Sequence, residues 1–217
     1  MSGIRVASAA LAIVLGWAGV AAAQTAPPVS AVQDQAAVDW TFSAAVYIYQ
    51  VHDDDNYAQP TFTADRDRLH LEGRFNYEDL DTGSAWIGYN LAGGKAVEWE
   101  LTPMLGGVFG NTSGIAPGYK GSLNWRRLGF SSEGEFLFGV GDVSESFFYN
   151  WSELAFAPTE WWRFGLATQR THAYASDREV QRGLFAGFSY RALDSAVYVF
   201  NPDDSHPTVV VAVTVGF

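Results

Sequence analysis

The 217 residues carry 13 Lys and Arg against 24 Asp and Glu, a formal charge of −11, and no cysteine. A chain of that sign repels nucleic acid, and it holds no basic stripe that could neutralise phosphates. The missing cysteine excludes disulfides, thiolate metal sites, a thiol nucleophile and lipidation at cysteine.

The first 23 residues read as a secretory signal peptide. Arg5 is their one charge, Val6 to Val20 is apolar, and Ala21-Ala22-Ala23 offers small residues for cleavage before Gln24. Residues 24–37 are Ala, Pro, Gln and Val without period and form a flexible lead. The domain is then 38–217. Its composition suits strands: aromatics make up 15% of the whole chain and charged residues 17%, below the roughly 25% charged of ordinary soluble domains. No later apolar run approaches the ~18 residues of a spanning helix.

From Val38 onward, period-2 segments alternate with turn signals. Trp40, Phe42, Ala44, Val46 and Ile48 share one face of the first. Leu69, Leu71, Gly73, Phe75 and Tyr77 then alternate with Arg68, His70, Glu72, Arg74 and Asn76, one face apolar and the other rich in titratable groups. The pattern recurs with Glu98 and Glu100 against Trp99 and Leu101, with Lys120 and Arg126 against Leu123 and Trp125, and with Glu133 and Glu135 against Phe136 and Phe138. It continues with Arg163 against Trp162 and Phe164. In 147–157, Glu153 and Trp151 share a face.

The chain ends on Val209, Val211, Val213, Val215 and Phe217 on one face. This ending resembles the terminal strand of bacterial outer-membrane β-barrels, which alternate apolar residues and finish on an aromatic, usually Phe. The all-Val row departs from that pattern, where barrels often place an aromatic. The resemblance implies that these five residues are the signal read by the barrel-assembly machinery. It also implies a bilayer and lipopolysaccharide as surroundings. The expected fold is all-β, a closed antiparallel up-and-down transmembrane β-barrel, because unpaired strand edges cost several kcal/mol per backbone group in hydrocarbon.

Eleven segments are countable, and bacterial barrels have even strand numbers. Splitting 97–110 at Pro103, which cannot donate to a ladder, gives twelve strands, with ten as the alternative. External loops are then expected at 52–60, 92–96, 111–117, 141–146, 173–179 and 202–207.

The inward face should carry Arg68, His70, Glu72, Arg74, Glu98, Glu100, Lys120, Arg126, Glu133, Glu135, Glu153 and Arg163, five cations against six acids besides His70. Such a lining suits either a water-filled pore or an ion-paired, packed lumen. Trp40, Trp99, Trp125, Trp161, Trp162 and Tyr190 fall near strand ends and suit interfacial girdles; a sugar-stacking platform is the rival reading. His52-Asp53-Asp54-Asp55 and Asp203-Asp204-Ser205-His206 read as solvated loop charge, so no metal, cofactor or catalytic residue is assigned. The expectation is a non-enzymatic barrel, a narrow passive pore or a structural surface protein. A lipid-modifying enzyme using His70 or His172 and a soluble periplasmic ligand-binding barrel are the alternatives.

Overall fold

The computed structural model describes residues 39–51, 55–140, 146–173 and 179–217. The proposed signal peptide and lead lie outside the described residues, as do most of the acids of the first, fourth and fifth expected loops.

The strands are β1 (Thr41–Gln50), β2 (Tyr57–Arg66), β3 (Leu69–Phe75), β4 (Thr82–Tyr89), β5 (Leu91–Gly94), β6 (Glu98–Gly110), β7 (Gly114–Trp125), β8 (Leu128–Gly139), β9 (Phe147–Phe156), β10 (Trp162–Ala173), β11 (Glu179–Tyr190), β12 (Leu193–Phe200) and β13 (Thr208–Gly216). Each pairs antiparallel with its sequence neighbours, β13 pairs with β1, and β4 pairs with β6, so the sheet closes on itself. β4 and β5 meet β6 in one continuous register and count as a single wall strand interrupted at Asn90. The result is a closed barrel of twelve wall strands.

The count matches the expectation, but the expected split does not occur. β6 runs through Pro103 without a break. The missing donor of Pro103 is harmless because it falls beside the gap at Asn90, where Thr102 Oγ1 donates to Asn90 Oδ1 (2.7 Å) instead. The extra strand comes from 61–77, which the turn at Asp67-Arg68 divides. That turn and those at 126–127 and 191–192 each open on a residue at positive φ (Asp67 53°, Arg126 55°, Arg191 56°), the backbone setting that tight hairpins require.

Two rims follow from this topology. The terminal rim carries Trp40, Phe217 and the turns at 67–68, 95–97, 126–127, 157–161 and 191–192. The opposite, loop rim carries, among the described residues, 51, 55–56, 76–81, 111–113, 140, 146 and 201–207. The segment 92–96 therefore lies at the terminal rim and not among the long loops, while 76–81 is a loop the sequence did not mark.

Alternation sorts every strand into an inner and an outer face. Phe62 (62% exposed), Ile87 (56%), Phe164 (51%) and Leu166 (54%) point outward, whereas Tyr198, Phe200 and Val210 are buried within. Large apolar side chains on the outside and charge within is the inverse of a soluble domain. The outer wall has one polar break at mid-height, where Ser132 and Ser152 Oγ lie 3.0 Å apart and Asn150 Nδ2 donates to Tyr119 Oη and Ser132 Oγ (both 3.1 Å).

Candidate functional site: the charged lumen

The inward side chains meet across the barrel as two clusters. The first is ionic and grows from β3, whose residues 70, 72 and 74 share the inner face. Glu72 is its hub: one carboxylate oxygen receives Arg74 Nε, and the other receives His70 Nε2 (3.0 Å) and Lys120 Nζ. Arg74 Nη1 also donates to Glu135 Oε2 on β8 (2.8 Å) and stands 3.9 Å from Glu78 Oε1. Its guanidinium lies 4.2 Å from the Tyr77 ring centroid and 4.5 Å from that of Trp86, so a planar cation is held by two aromatic faces as well as by carboxylates. Lys120 Nζ stands 3.9 Å from Glu133 Oε2, and Tyr77 Oη donates to Glu133 Oε1 (2.5 Å). His70, Glu72, Arg74 and Glu135 are all buried.

Both imidazole nitrogens of His70 are engaged, Nδ1 with Asp65 Oδ1 (2.8 Å) and Nε2 with Glu72. Asp65 also accepts from Asn90 Nδ2 (2.7 Å). His70 is thereby a wall residue tied to two carboxylates, with no serine in reach of its ring nitrogens through these bonds. The side chain of His172 lies outside the described residues.

The second cluster is aromatic. Trp151 on β9 meets Tyr198 (5.0 Å) and Phe200 (5.1 Å) on β12 and Tyr47 (6.0 Å) on β1, each edge to face. β1 and β9 are five strands apart around the ring, so the Tyr47–Trp151 contact crosses the lumen. Tyr77 reaches Tyr149 in the same manner (5.4 Å). Glu153 sits beneath, accepting from Trp151 Nε1 and Tyr198 Oη (both 2.8 Å). Nearby, Arg163 forms a two-pronged pair with Asp194 (2.6 Å for both bonds).

Of the predicted lining residues, His70, Glu72, Arg74, Lys120, Glu133 and Glu135 come together. Glu153 and Arg163 lie on the other side of the lumen. Glu98 and Glu100 occupy inner positions of β6 near the terminal rim, with Glu98 exposed. Arg68 and Arg126 do not face the lumen: both are exposed turn residues. Reading 61–77 and 118–128 as uninterrupted strands extended the alternation one step too far. Conversely, Asp65 and Asp194 belong to the inner face, which the sequence reading missed. The balance therefore changes. Inner cations among the described residues are Arg74, Lys120 and Arg163, against Asp65, Glu72, Glu78, Glu98, Glu100, Glu133, Glu135, Glu153 and Asp194.

One glycine is required by this packing. A Cβ on Gly106 would fall 2.5 Å from the Trp86 ring, the ring that backs Arg74. We expect Gly106→Ala to lower barrel stability by about 1–3 kcal/mol, the usual cost of overpacking, read as a reduced urea midpoint. An unchanged midpoint would show that Trp86 is free to move.

No family model and no curated protein matches the sequence. Solved structures do match. One is a KdgM porin, with a TM-score of 0.59 and 10% identity over 81% of this chain and 99% of that one. Another is a KdgM porin in complex with disordered oligogalacturonate, with a TM-score of 0.54 and 9% identity over 82% and 99%. The chain has the KdgM porin fold.

Proposed function

We propose that the mature chain is an integral outer-membrane barrel that acts without catalysis as a narrow, passive, cation-preferring pore. The observation that carries this reading is the closed porin-type barrel with an apolar outer wall and a charged inner one. Lipid suits the outer wall, since every wall strand pairs with a neighbour on both sides and the closed sheet leaves no open edge. Nine inner acids against three cations among the described residues favour positive solutes, because a lining of one sign in a narrow low-dielectric channel concentrates its counter-ions. The second structural neighbour is named for its complex with oligogalacturonate, an acidic sugar. The lining here disfavours such a solute, and the Tyr47–Trp151 bridge leaves little room for a chain of sugars.

Recording in a planar bilayer under a salt gradient tests this. We expect small stepwise currents whose reversal potential favours the cation. A reversal potential favouring the anion overturns the selectivity. The dry packing of Arg74 and Trp151 supports a second reading, a plugged surface or structural barrel, and a silent bilayer containing folded protein would favour it.

The row Val209, Val211, Val213, Val215 and Phe217 faces outward on β13, and Phe217 exchanges backbone hydrogen bonds with Phe42 (3.0 and 2.9 Å) at the closing seam. We propose this row as the recognition signal for assembly. Removing Phe217 should leave less folded, heat-resistant barrel in cell envelopes, while equal amounts would refute its role.

A further inference from the structure

Among the described residues, five outward tryptophans, Trp40, Trp99, Trp125, Trp161 and Trp162, lie at the terminal rim, together with Tyr89 and Tyr190. The sequence reading expected girdles at strand ends generally; the topology gathers these residues onto one side. Four of the rings carry an arginine. Arg66 lies over Trp40 (5.8 Å), Arg68 over Tyr89 (5.7 Å), Arg126 over Trp125 (5.2 Å) and Arg191 over Tyr190 (5.2 Å). These four arginines are exposed, and they come from three separate hairpins. Arg68 Nη1 also donates to Tyr89 Oη (2.8 Å), and this bond raises its pKa further above the ordinary arginine value, so it stays charged.

Resting on the membrane reading above, we propose that this rim binds the phosphate headgroups of anionic phospholipids in the leaflet that surrounds it. Two properties point to that partner. Tryptophan and tyrosine settle at the headgroup level of a bilayer, which fixes the depth of the arginines beside them. A planar guanidinium carries five N–H donors in a fixed fork, and that fork matches the paired oxygens of a phosphate. The charge of the rim agrees. Lys95 and Arg127 join the four arginines, against the exposed acids Asp39, Asp67, Glu98 and Glu160 at or beside this rim. The loop rim has the opposite character, with Asp79, Asp81, Asp203 and Asp204 among its described residues. Arg182, at that rim, lies 4.0 Å from Asp203.

Thermal unfolding in vesicles of phosphatidylcholine alone, and of phosphatidylcholine with phosphatidylglycerol, tests the proposal. The native chain should unfold at a higher temperature in the mixed vesicles. The combined variant Arg66→Gln, Arg68→Gln, Arg126→Gln and Arg191→Gln should unfold at the same temperature in both. A native chain indifferent to the anionic lipid overturns the proposal, as does a variant that keeps the full shift. If the combined variant does not fold, Arg126→Gln and Arg191→Gln singly should each reduce the shift, and an undiminished shift in both overturns the assignment. Inorganic phosphate added to the phosphatidylcholine vesicles should not reproduce the effect; if it does, the rim recognises free anion and not lipid. A chain that inserts into neither vesicle would instead defeat the membrane reading itself.

Discussion

Arg74→Ala should lose about 3–5 kcal/mol of stability, the range found when one partner of a buried ion pair is removed, and should conduct larger currents than the native barrel. The side chain is contacted by carboxylates of Glu72 and Glu135, with Glu78 close by. Without it, three acids remain on a wall where the native structure keeps them dry. Their mutual repulsion and unmet hydration would draw water into the lumen at this level. Tyr77 and Trp86 would also lose the cation that both rings contact. Urea unfolding in micelles and single-channel recording read the two effects. Arg74→Lys should restore part of the stability, since an ammonium keeps the charge but lacks the planar fork. A native-like midpoint and conductance in Arg74→Ala would mean that the ionic cluster neither braces nor narrows the barrel.

Trp151→Ala should have a comparable effect from the aromatic side. The indole touches Tyr47, Tyr198 and Phe200 and donates to Glu153. Truncating a buried Trp or Phe to Ala typically costs about 3–5 kcal/mol through lost burial and the cavity left behind. Here the cavity would lie where β1 and β9 meet across the lumen, so the same change should widen the conducting path. Trp151→Phe should keep most of the packing while releasing the Glu153 bond, though Tyr198 Oη still donates to that carboxylate. If Trp151→Ala leaves the single-channel conductance unchanged, the aromatic bridge does not limit passage.

The wall was legible in the sequence wherever alternation was uninterrupted. Residues 69–75 revealed both faces of β3, and the Val row ending on Phe217 revealed the strand that closes the ring. Turn positions were less legible. Arg68 and Arg126 continue the polar parity of their strands, and nothing in their identity marks them as turn residues, because the positive-φ positions are occupied by Asp67, Arg126 and Arg191 in place of glycine. Pro103 misled for the opposite reason. Its missing N–H carries a penalty inside a paired ladder, yet the interruption of the neighbouring strand at Asn90 removes the demand. The lumen cluster was legible as a set of inward charges but not as a network. Tyr47 and Trp151, or Arg74 and Glu135, lie far apart in the chain, and their meeting depends on barrel diameter and shear, which no local pattern encodes. The arginine–aromatic pairs likewise needed the hairpin geometry that places them at one rim.

With no native cysteine, single cysteines carrying a spin label can be placed one by one at Val210, Val211, Ala212, Val213 and Thr214 in the protein folded into a bilayer. Val211 and Val213 face outward, whereas Val210, Ala212 and Thr214 are buried on the inner face. Labels at 211 and 213 should collide freely with oxygen dissolved in the hydrocarbon, and those at 210, 212 and 214 should not, giving an accessibility that alternates with period two. A reversed alternation, or uniform accessibility along the strand, would contradict a barrel whose apolar face meets lipid and whose charged face lines the lumen.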